Sequence, residues 1–329
     1  MTTTNIIPHK RKEYIDLAKG ICIIFVMSEH IAHNTILSSP YITSFRMPFY
    51  FFICGLFIST KYSYKHFAIK KVNALLIPFL FFSLIALFND IILSIFNISN
   101  ITISNIFKTI ISPYTCINGP LWFLICLFWG YMMFYFLEKK IHKSHIRSLL
   151  IFSISIIGFY MSKFSLFGHH IILPFFFSSA MTSLIFIYLG FIFRKKLNLL
   201  DETPKDKYYF IIALSIFILT QYTMGPNYIE MIWNKYTQSY IITIISGVSG
   251  SLSIIYLCKF IKKAPIISYI GRYSLIALAT HSIFIQYLKI YNTNPNITLL
   301  TLIIILCPAI YYIKKYFPKF CAQEPYFNL

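Results

Sequence analysis

The feature that most constrains this chain is a series of apolar runs long enough to cross a lipid bilayer. A hydrocarbon core about 30 Å thick requires roughly 20 apolar residues in a helix. Ten runs approach that length, and short polar or basic turns separate them. Of the 329 residues, 57% are hydrophobic and only 12% are charged, a far smaller charged share than in soluble domains. The sequence therefore predicts an all-α polytopic membrane protein, with residues 1–329 forming a single integral-membrane domain.

The ten predicted spans cover most of the chain. Their approximate bounds are 14–37, 44–60, 72–97, 119–138, 148–167, 170–193, 208–223, 238–260, 266–289 and 297–316. When the spans alternate from an inner N-terminus, 24 of the 29 lysines and arginines fall on the inner side. The other five are Arg46, Lys108, Lys163, Lys235 and Lys289. Because inner loops of membrane proteins are enriched in lysine and arginine, both termini are predicted to be cytoplasmic.

The net charge of +19 is explained by the same topology. The basic residues form short clusters between apolar runs, which an acidic membrane surface attracts. This placement argues for the lipid bilayer, and against nucleic acid, as the partner of the clusters. The seven cysteines show no spacing typical of a disulfide framework or a zinc site, and most lie in apolar runs. We therefore predict no metal site.

The first span, YIDLAKGICIIFVMSEHIAHN, carries ionisable residues that are costly inside a membrane. Lys19 and His30 are eleven residues apart, which places them on one helix face, about 16 Å apart along the axis. Asp16 lies one turn below Lys19 on the same side. This arrangement suits an elongated anionic ligand entering from the cytoplasm, with phosphates at Lys19 and its reactive end at His30. Alternatively, Lys19 extends to the inner headgroups, while Glu29 and His30 face an outer loop.

Other polar residues of the spans give weaker signals. His281 lies about as far above the inner end of the ninth span as His30 does in the first, so similar depths are expected. Arg272, near the inner end of the ninth span, either binds a phosphate of the anionic ligand or extends to the headgroups. Five residues are candidates for further ligand contacts or for positioning: Asp16, Glu29, Arg46, Trp122 and His281. Trp122, in NGPLW, is interpreted as an anchor at the membrane interface. The remaining outer histidines are interpreted as turn residues: His33, His169 and His170.

Five segments carry a resemblance to a known family. They are RKEYIDLAKGICIIFVMSEH, FRMPFYFFICGLF, KKVNALLIPFLFFS, NGPLWFLICLF and YIGRYSLIALATH, in that order. Through them the chain resembles acyltransferase family 3 of integral-membrane proteins, in the branch similar to sugar O-acetylases, over nearly its whole length. The first segment is the most specific, because the family's pattern of a basic residue, ten intervening residues and a histidine falls on Lys19 and His30.

The resemblance implies transfer of an acyl group, usually acetyl from acetyl-CoA, to a carbohydrate hydroxyl. It implies that His30 is the catalytic residue and that Lys19, Lys70 and Lys71 contact the donor. Acetyl-CoA would be a co-substrate, and no permanently bound cofactor is expected. The acceptor would be a cell-envelope saccharide, such as an O-antigen, a capsule or a lipid-linked sugar. The residue usage and the compact layout suggest a bacterial inner membrane.

Three positions depart from the family's pattern. Ala74 stands where a second arginine is usual, so only half of that basic motif is present. Cys54 replaces a serine in the second span and keeps a small residue for packing. Arg46 stands where related sequences often have histidine, at the outer end of the second span. Its guanidinium is expected to meet an acceptor sugar, the phosphate of that sugar or lipid headgroups.

The sequence leaves the chemical route and the class of function open. A neutral His30 imidazole can act as general base toward the acceptor hydroxyl, or it can itself carry the acyl group. A transporter or flippase of a lipid-linked saccharide, with intramembrane histidines relaying protons, would explain the same residues without covalent change. A glycan polymerase or ligase would normally need a large outer loop, whereas the longest one here spans about residues 98–118.

Overall fold

The computed structural model describes residues 11–32, 35–37, 39–96, 115–161, 173–291 and 294–327. It also describes positions 104, 107–109, 112, 163, 165–166 and 169–170. His33 lies outside the described residues, so the interpretation of this histidine as a turn residue stays a prediction.

Twelve α-helices account for most of the described residues. They are α1 (Glu13–Ile31), α2 (Pro40–Leu56), α3 (Tyr64–Lys71), α4 (Ile77–Ile95), α5 (Trp122–Lys140), α6 (Ser144–Met161), α7 (Phe177–Lys196), α8 (Asp206–Met224), α9 (Tyr240–Ile261), α10 (Pro265–Arg272), α11 (Ser274–Tyr291) and α12 (Pro295–Tyr316). A π-helical turn, Val72–Leu76, joins α3 to α4. Short 3₁₀ turns are formed by Gly119–Leu121, Pro174–Phe176 and Met231–Trp233.

Two short antiparallel ladders join the helices. Strand β1 (Ser165–Leu166) pairs with β2 (His169–His170), with Ser165 opposite His170. Strand β3 (Ile229–Glu230) pairs with β4 (Lys235–Tyr236), with Ile229 opposite Tyr236. The backbone of the two adjacent histidines therefore lies in a tight hairpin, as the interpretation of a turn between two spans requires.

The ten predicted spans coincide with helices or helix pairs. Six helical stretches are long and apolar enough to cross a membrane: Tyr64–Ile95, Gly119–Lys140, Ser144–Met161, Pro174–Lys196, Tyr240–Ile261 and Pro295–Tyr316. Among the others, α1 carries Asp16, Lys19 and Glu29, and α2 has only 17 residues. The nearly all-α architecture with membrane-spanning helices is confirmed. The count of ten spans and the cytoplasmic placement of both termini stay predictions.

Several helices begin at sequence signals that satisfy their first backbone amides. The side chain of Ser39 accepts a hydrogen bond from the Tyr41 amide, and Pro40 occupies the first position of α2. The Asn294 side chain does the same for the amides of residues 296 and 297, and Pro295 begins α12. Proline is well suited to the first helical turn because its missing N–H would have no partner there.

The helices form a buried centre and an exposed rim. In α1, 13 of the 19 residues are buried. The spanning windows that contain α5, α7 and α9 are 72%, 61% and 61% buried, whereas those of α4, α6 and α12 are only 22–28% buried. Exposed leucine, isoleucine and phenylalanine side chains cover these three rim helices. Such apolar faces suit lipid, whereas Asp16 of α1 is buried and Lys19 and Glu29 are partly buried within the protein.

Close approach of α1 and α10 depends on two glycines. A Cβ atom on Gly20 would lie 2.0 Å from the Ile267 carbonyl oxygen, and one on Gly271 would lie 1.9 Å from the Asp16 carbonyl oxygen. No larger side chain fits at either position without separating the two backbones. Small residues at helix interfaces are a common device of membrane proteins for packing helices backbone to backbone. This contact positions α1 against the helix pair α10–α11.

Several predicted spans differ from the structure. The fifth and sixth run into the strands β1 and β2, because the helices there end at Met161 and begin at Phe177. The first helix ends at Ile31 rather than near residue 37, and residues 35–37 form a turn. The ninth span is two helices, because Tyr273 leaves helical geometry between α10 and α11 with φ −112° and ψ 34°. The difference in the ninth span arises from a break at one residue, which leaves the apolar pattern of the sequence uninterrupted.

Candidate functional site

Two histidines meet at one side of the bundle. The rings of His30, near the end of α1, and His281, in α11, have centroids 5.1 Å apart and planes inclined by 52°. This contact confirms that the two imidazoles lie at similar depth. His30 is an exposed residue, whereas His281 is fully buried. One member of the pair therefore lies at the surface of the helix bundle and the other lies inside it.

One ring nitrogen of His281 is bound to the backbone of its own helix, and the other is not. Its Nδ1 lies 3.0 Å from the Ala277 carbonyl oxygen, which only accepts hydrogen bonds, so Nδ1 carries the proton in that contact. The Nε2 atom is buried and has no hydrogen-bond partner among the described residues. In the neutral ring this nitrogen has a lone pair. His281 therefore offers an unused acceptor beside His30.

Asn118 holds the helix that carries His281. Its Nδ2 atom donates to the Ala279 carbonyl at 2.7 Å, and its Oδ1 atom accepts from the Ser282 hydroxyl at 2.7 Å. The asparagine is buried and precedes the 3₁₀ turn before α5. From the sequence, only Trp122 of this segment was singled out, and Asn118 was missed. The signal for Asn118 is a polar side chain directly before Gly119–Leu121.

Cations hold the C-terminal end of α1. A guanidinium nitrogen of Arg46 lies 3.3 Å from a Glu29 carboxylate oxygen and 3.4 Å from the Phe25 carbonyl oxygen. The Lys289 ammonium donates to the His30 carbonyl at 3.4 Å. Arg46 therefore interacts with α1 and helps to fix the residues around His30. Lys289 was not identified from the sequence as a residue of this region.

Trp122 occupies a different environment from the one expected. The indole is 7% exposed and packs against the rings of Phe123 and Phe176. It is therefore a core residue rather than an anchor in the membrane interface. No contact described in the structure joins this side chain to the two histidines.

At the other end of α1, Asp16 lies between two cations. Its carboxylate accepts from Arg11 Nε at 2.5 Å and lies 3.4 Å from the Lys19 ammonium. The Tyr50 hydroxyl of α2 donates to the Lys19 carbonyl at 2.7 Å. Lys19 is therefore held by its own helix and lies against α2.

Lys71 approaches the same face of α2. Its ammonium lies 3.6 Å from the centre of the Tyr131 ring, and the Tyr131 hydroxyl donates to the Cys54 carbonyl at 3.3 Å. Tyr50 and Cys54 are four residues apart in α2 and so share a face. Lys19 and Lys71 thus both lie near one stretch of α2. The structure brings these two predicted donor residues toward one region.

Lys70 points elsewhere. Its ammonium lies 3.7 Å from the centre of the Tyr62 ring, in a cation–π contact. A hydrogen bond with that ammonium lowers the pKa of the Tyr62 hydroxyl, which lies outside the spanning helices. The π turn that follows these lysines distorts the helix here, and such turns are frequent at functional sites. Within the part of the chain that is described, neither Lys70 nor Lys71 forms an ion pair with a carboxylate.

Arg272 lies apart from these lysines, at the break between α10 and α11. The side chain is exposed, and its guanidinium carbon lies 5.5 Å from the centre of the Tyr273 ring. The Tyr273 hydroxyl accepts from the Lys314 ammonium at 3.2 Å. Among the described residues, no group of three or more His, Cys, Asp or Glu side chains is arranged to hold a metal ion.

Comparison with known families gives one result. A family model described as an acyltransferase domain, that of acyltransferase family 3, matches residues 12–313. The matched residues include both histidines, the three lysines Lys19, Lys70 and Lys71, and the glycines at the contact of α1 with α10. Comparisons with curated proteins and with solved structures gave no match.

Proposed function

Because the chain belongs to acyltransferase family 3, we propose that it is a membrane O-acetyltransferase. It moves an acetyl group from cytoplasmic acetyl-CoA to a hydroxyl of a cell-envelope saccharide, such as an O-antigen, a capsule or a lipid-linked sugar. The observation that carries the proposal is the ring contact of His30 with His281 at 5.1 Å, inside a chain of membrane-spanning helices. The proposed location is the bacterial inner membrane.

In the proposed reaction, His30 acts as general base. The acceptor oxygen attacks the thioester carbonyl carbon while His30 takes the hydroxyl proton, and the carbon–sulfur bond then breaks. The CoA thiolate leaves and receives the proton, so atoms and charge balance. Proton removal by a positioned imidazole typically accelerates such a step by about 10²–10⁴-fold. The exposed His30 ring is the one that a substrate can reach.

His281 is proposed as the residue that positions and assists His30. Its Nε2 lone pair is buried and unpartnered among the described atoms, and its Nδ1 proton is held by the Ala277 carbonyl. A protonated His30 can therefore donate to that lone pair, which stabilises the charge formed as the hydroxyl proton is removed. Asn118 fixes the helix that carries His281, through hydrogen bonds on both sides of that residue.

The donor is proposed to enter along the inner half of α2. Lys19 and Lys71 supply two positive charges on that stretch, and phosphates are their natural ligands. The spacing from Lys19 to His30, about 16 Å along the helix axis, suits a long flexible arm with phosphates at one end and a thioester at the other.

The decisive experiment compares His30→Ala with wild-type protein in lipid nanodiscs. Labelled acetyl-CoA and lipid-linked sugars are the substrates, and transfer of label to the sugar is the readout. We expect His30→Ala to lose about 10²–10⁴-fold in rate. His145→Ala, which removes an exposed histidine of α6, should retain wild-type activity and is the matched control.

Transport is the competing function, and the same material tests it. An acetyltransferase adds about 42 Da to the envelope glycan for each acyl group transferred, and the increment disappears with His30→Ala. A flippase changes only the side of the membrane on which an unmodified saccharide resides. Wild-type protein that moves saccharide across vesicles without labelling it would overturn the proposed function. Trapping of label on His30 itself would replace the general-base route by an acyl-histidine route.

A further inference from the structure

Residues 225–238 join α8 to α9 and are called the α8–α9 hairpin below. They contain strand β3, the 3₁₀ turn Met231–Trp233 and strand β4. The turn is completed by the buried Asn234 with φ 55°, a left-handed conformation that asparagine adopts more readily than most residues. The backbone of this hairpin is therefore defined by a specific turn and by the pairing of its two strands.

A buried asparagine fixes the α8–α9 hairpin to three helices. The Nδ2 atom of Asn227 donates to the Ser246 hydroxyl of α9 at 2.9 Å. The backbone amide of the same residue donates to the Gln221 side-chain oxygen of α8 at 3.3 Å. Its carbonyl oxygen lies 3.5 Å from the hydroxyl oxygen of Thr43 in α2. The next residue, Tyr228, therefore begins from a fixed point beside α2.

Tyr228 lies close to the ion pair of Arg46 with Glu29. Arg46 follows the threonine that contacts the hairpin by three residues, so both lie on one face of α2. Burial raises the pKa of the Tyr228 hydroxyl, the carboxylates of Glu230 and Glu29 raise it further, and Arg46 opposes them. Charges shift a pKa in this way only from nearby. The hairpin therefore reaches the residue that directly precedes His30.

Two side chains of the hairpin are available to a ligand at this place. Tyr228 and Glu230 are both partly exposed. Among the residues that the structure describes, none hydrogen-bonds the Tyr228 hydroxyl and none forms an ion pair with Glu230. Arg46 is different, because Glu29 already pairs with its guanidinium at 3.3 Å. A tyrosine offers an apolar ring with a polar tip, and a carboxylate accepts hydrogen bonds from hydroxyl groups, a combination that suits a sugar.

We propose that Tyr228 and Glu230 form a specificity-determining subsite for the saccharide acceptor. The Tyr228 ring packs against the sugar, and the Glu230 carboxylate accepts a hydrogen bond from one of its hydroxyl groups. The inference rests on the proposed function, which makes the acceptor a saccharide. Neither residue touches the reacting atoms. Together they hold the sugar so that a different hydroxyl group reaches His30.

The test measures the KM for each of the two substrates separately. Wild-type and variant proteins in lipid nanodiscs receive labelled acetyl-CoA and saccharide extracted from the envelope of the source cells. We expect Tyr228→Leu and Glu230→Gln each to raise the KM for the saccharide about tenfold, as loss of one ring contact or one hydrogen bond would. The KM for acetyl-CoA should not change, because both residues lie on the acceptor side.

Two matched controls separate the subsite from the rest of the surface. Trp233→Leu removes another aromatic ring of the same hairpin, one that is 39% exposed. Glu202→Gln removes an exposed carboxylate, which pairs with Lys262. Both controls should leave the KM for the saccharide and the KM for acetyl-CoA unchanged.

The outcomes distinguish the subsite from the proposed function. A KM for the saccharide that Tyr228→Leu and Glu230→Gln both leave unchanged overturns the subsite, while labelling of the saccharide by the wild-type protein leaves the proposed function standing. Equal increases in the KM for both substrates, or the same increase in Trp233→Leu, would also overturn the subsite, because the effect would then be structural. Wild-type protein that leaves the saccharide unlabelled overturns the proposed function itself.

Discussion

Replacing Gly20 with alanine tests whether the contact of α1 with α10 sets the geometry of the two histidines. The added Cβ would lie 2.0 Å from the Ile267 carbonyl oxygen, whereas ordinary contact begins near 3.4 Å. The two backbones must therefore separate by about 1.4 Å at this point. Because α1 carries His30 and α10 leads into α11, which carries His281, the separation is transmitted to the imidazole pair.

A misplacement of about 1 Å can lower the rate of a catalysed step about 10²-fold. We therefore expect Gly20→Ala to reduce acetyl transfer about a hundredfold and to destabilise the fold by about 1–3 kcal/mol through overpacking. Initial rates with labelled acetyl-CoA measure the first effect, and thermal unfolding in detergent measures the second. Gly271→Ala, on the other side of the same contact, should behave alike because its Cβ would lie 1.9 Å from the Asp16 carbonyl oxygen.

Gly119→Ala is the matched control, because a Cβ atom there would meet no atom within 4 Å. It should retain wild-type activity and wild-type stability. If Gly20→Ala is inserted, folded and as active as wild-type protein, the α1–α10 contact does not determine the positions of the histidines. If Gly119→Ala also lost activity, the effect of Gly20→Ala would be due to replacing glycine by alanine in general and not to the α1–α10 contact.

Three charged residues outside the histidine pair give further tests. Asp206→Asn should lower the free energy of unfolding by about 3–5 kcal/mol, because it leaves the buried Lys259 ammonium without the carboxylate that lies 3.1 Å away. Chemical unfolding in detergent measures this change, and unchanged stability would contradict the prediction. Lys71→Gln should raise the KM for acetyl-CoA in steady-state assays without changing kcat, since a uniform binding contact is lost; a fall in kcat alone would refute it. Arg46→Met should lower kcat, because it removes the contacts that hold the C-terminal end of α1 beside His30. An altered KM for the acceptor with an unchanged kcat would show instead that Arg46 contacts the sugar.

The sequence predicted the nearly all-α architecture and the similar height of the two histidines because both follow from helix geometry. A bilayer of fixed thickness sets the length of an apolar run, so the helices lie where such runs occur. A constant rise per residue places His30 and His281 at equal height once the inner helix ends are known. The grouping of Lys19 with Asp16 likewise depends only on positions three apart in one helix.

The rest depends on contacts between distant parts of the chain. Asn73 and Phe327 are separated by 254 positions, and Lys289 and His30 by 259. No local sequence pattern predicts such pairs. The π turn that contains Asn73 lies at the start of a long apolar run, so it could not be predicted either. The break at Tyr273 is hidden for the same reason. Pairing of Arg46 with Glu29 required knowing that α2 packs beside α1.

The central position of α1 has a consequence for how the protein is made. This helix is synthesised before α9, α10, α11 and α12, all of which contact it in the folded protein. Until those four helices have been made, the polar residues of α1 lack part of the protein surroundings that they have in the fold. The insertion machinery must therefore retain α1, or the helix must wait at the membrane surface, until the four helices have emerged. Products of interrupted translation would consequently leave α1 without these partners.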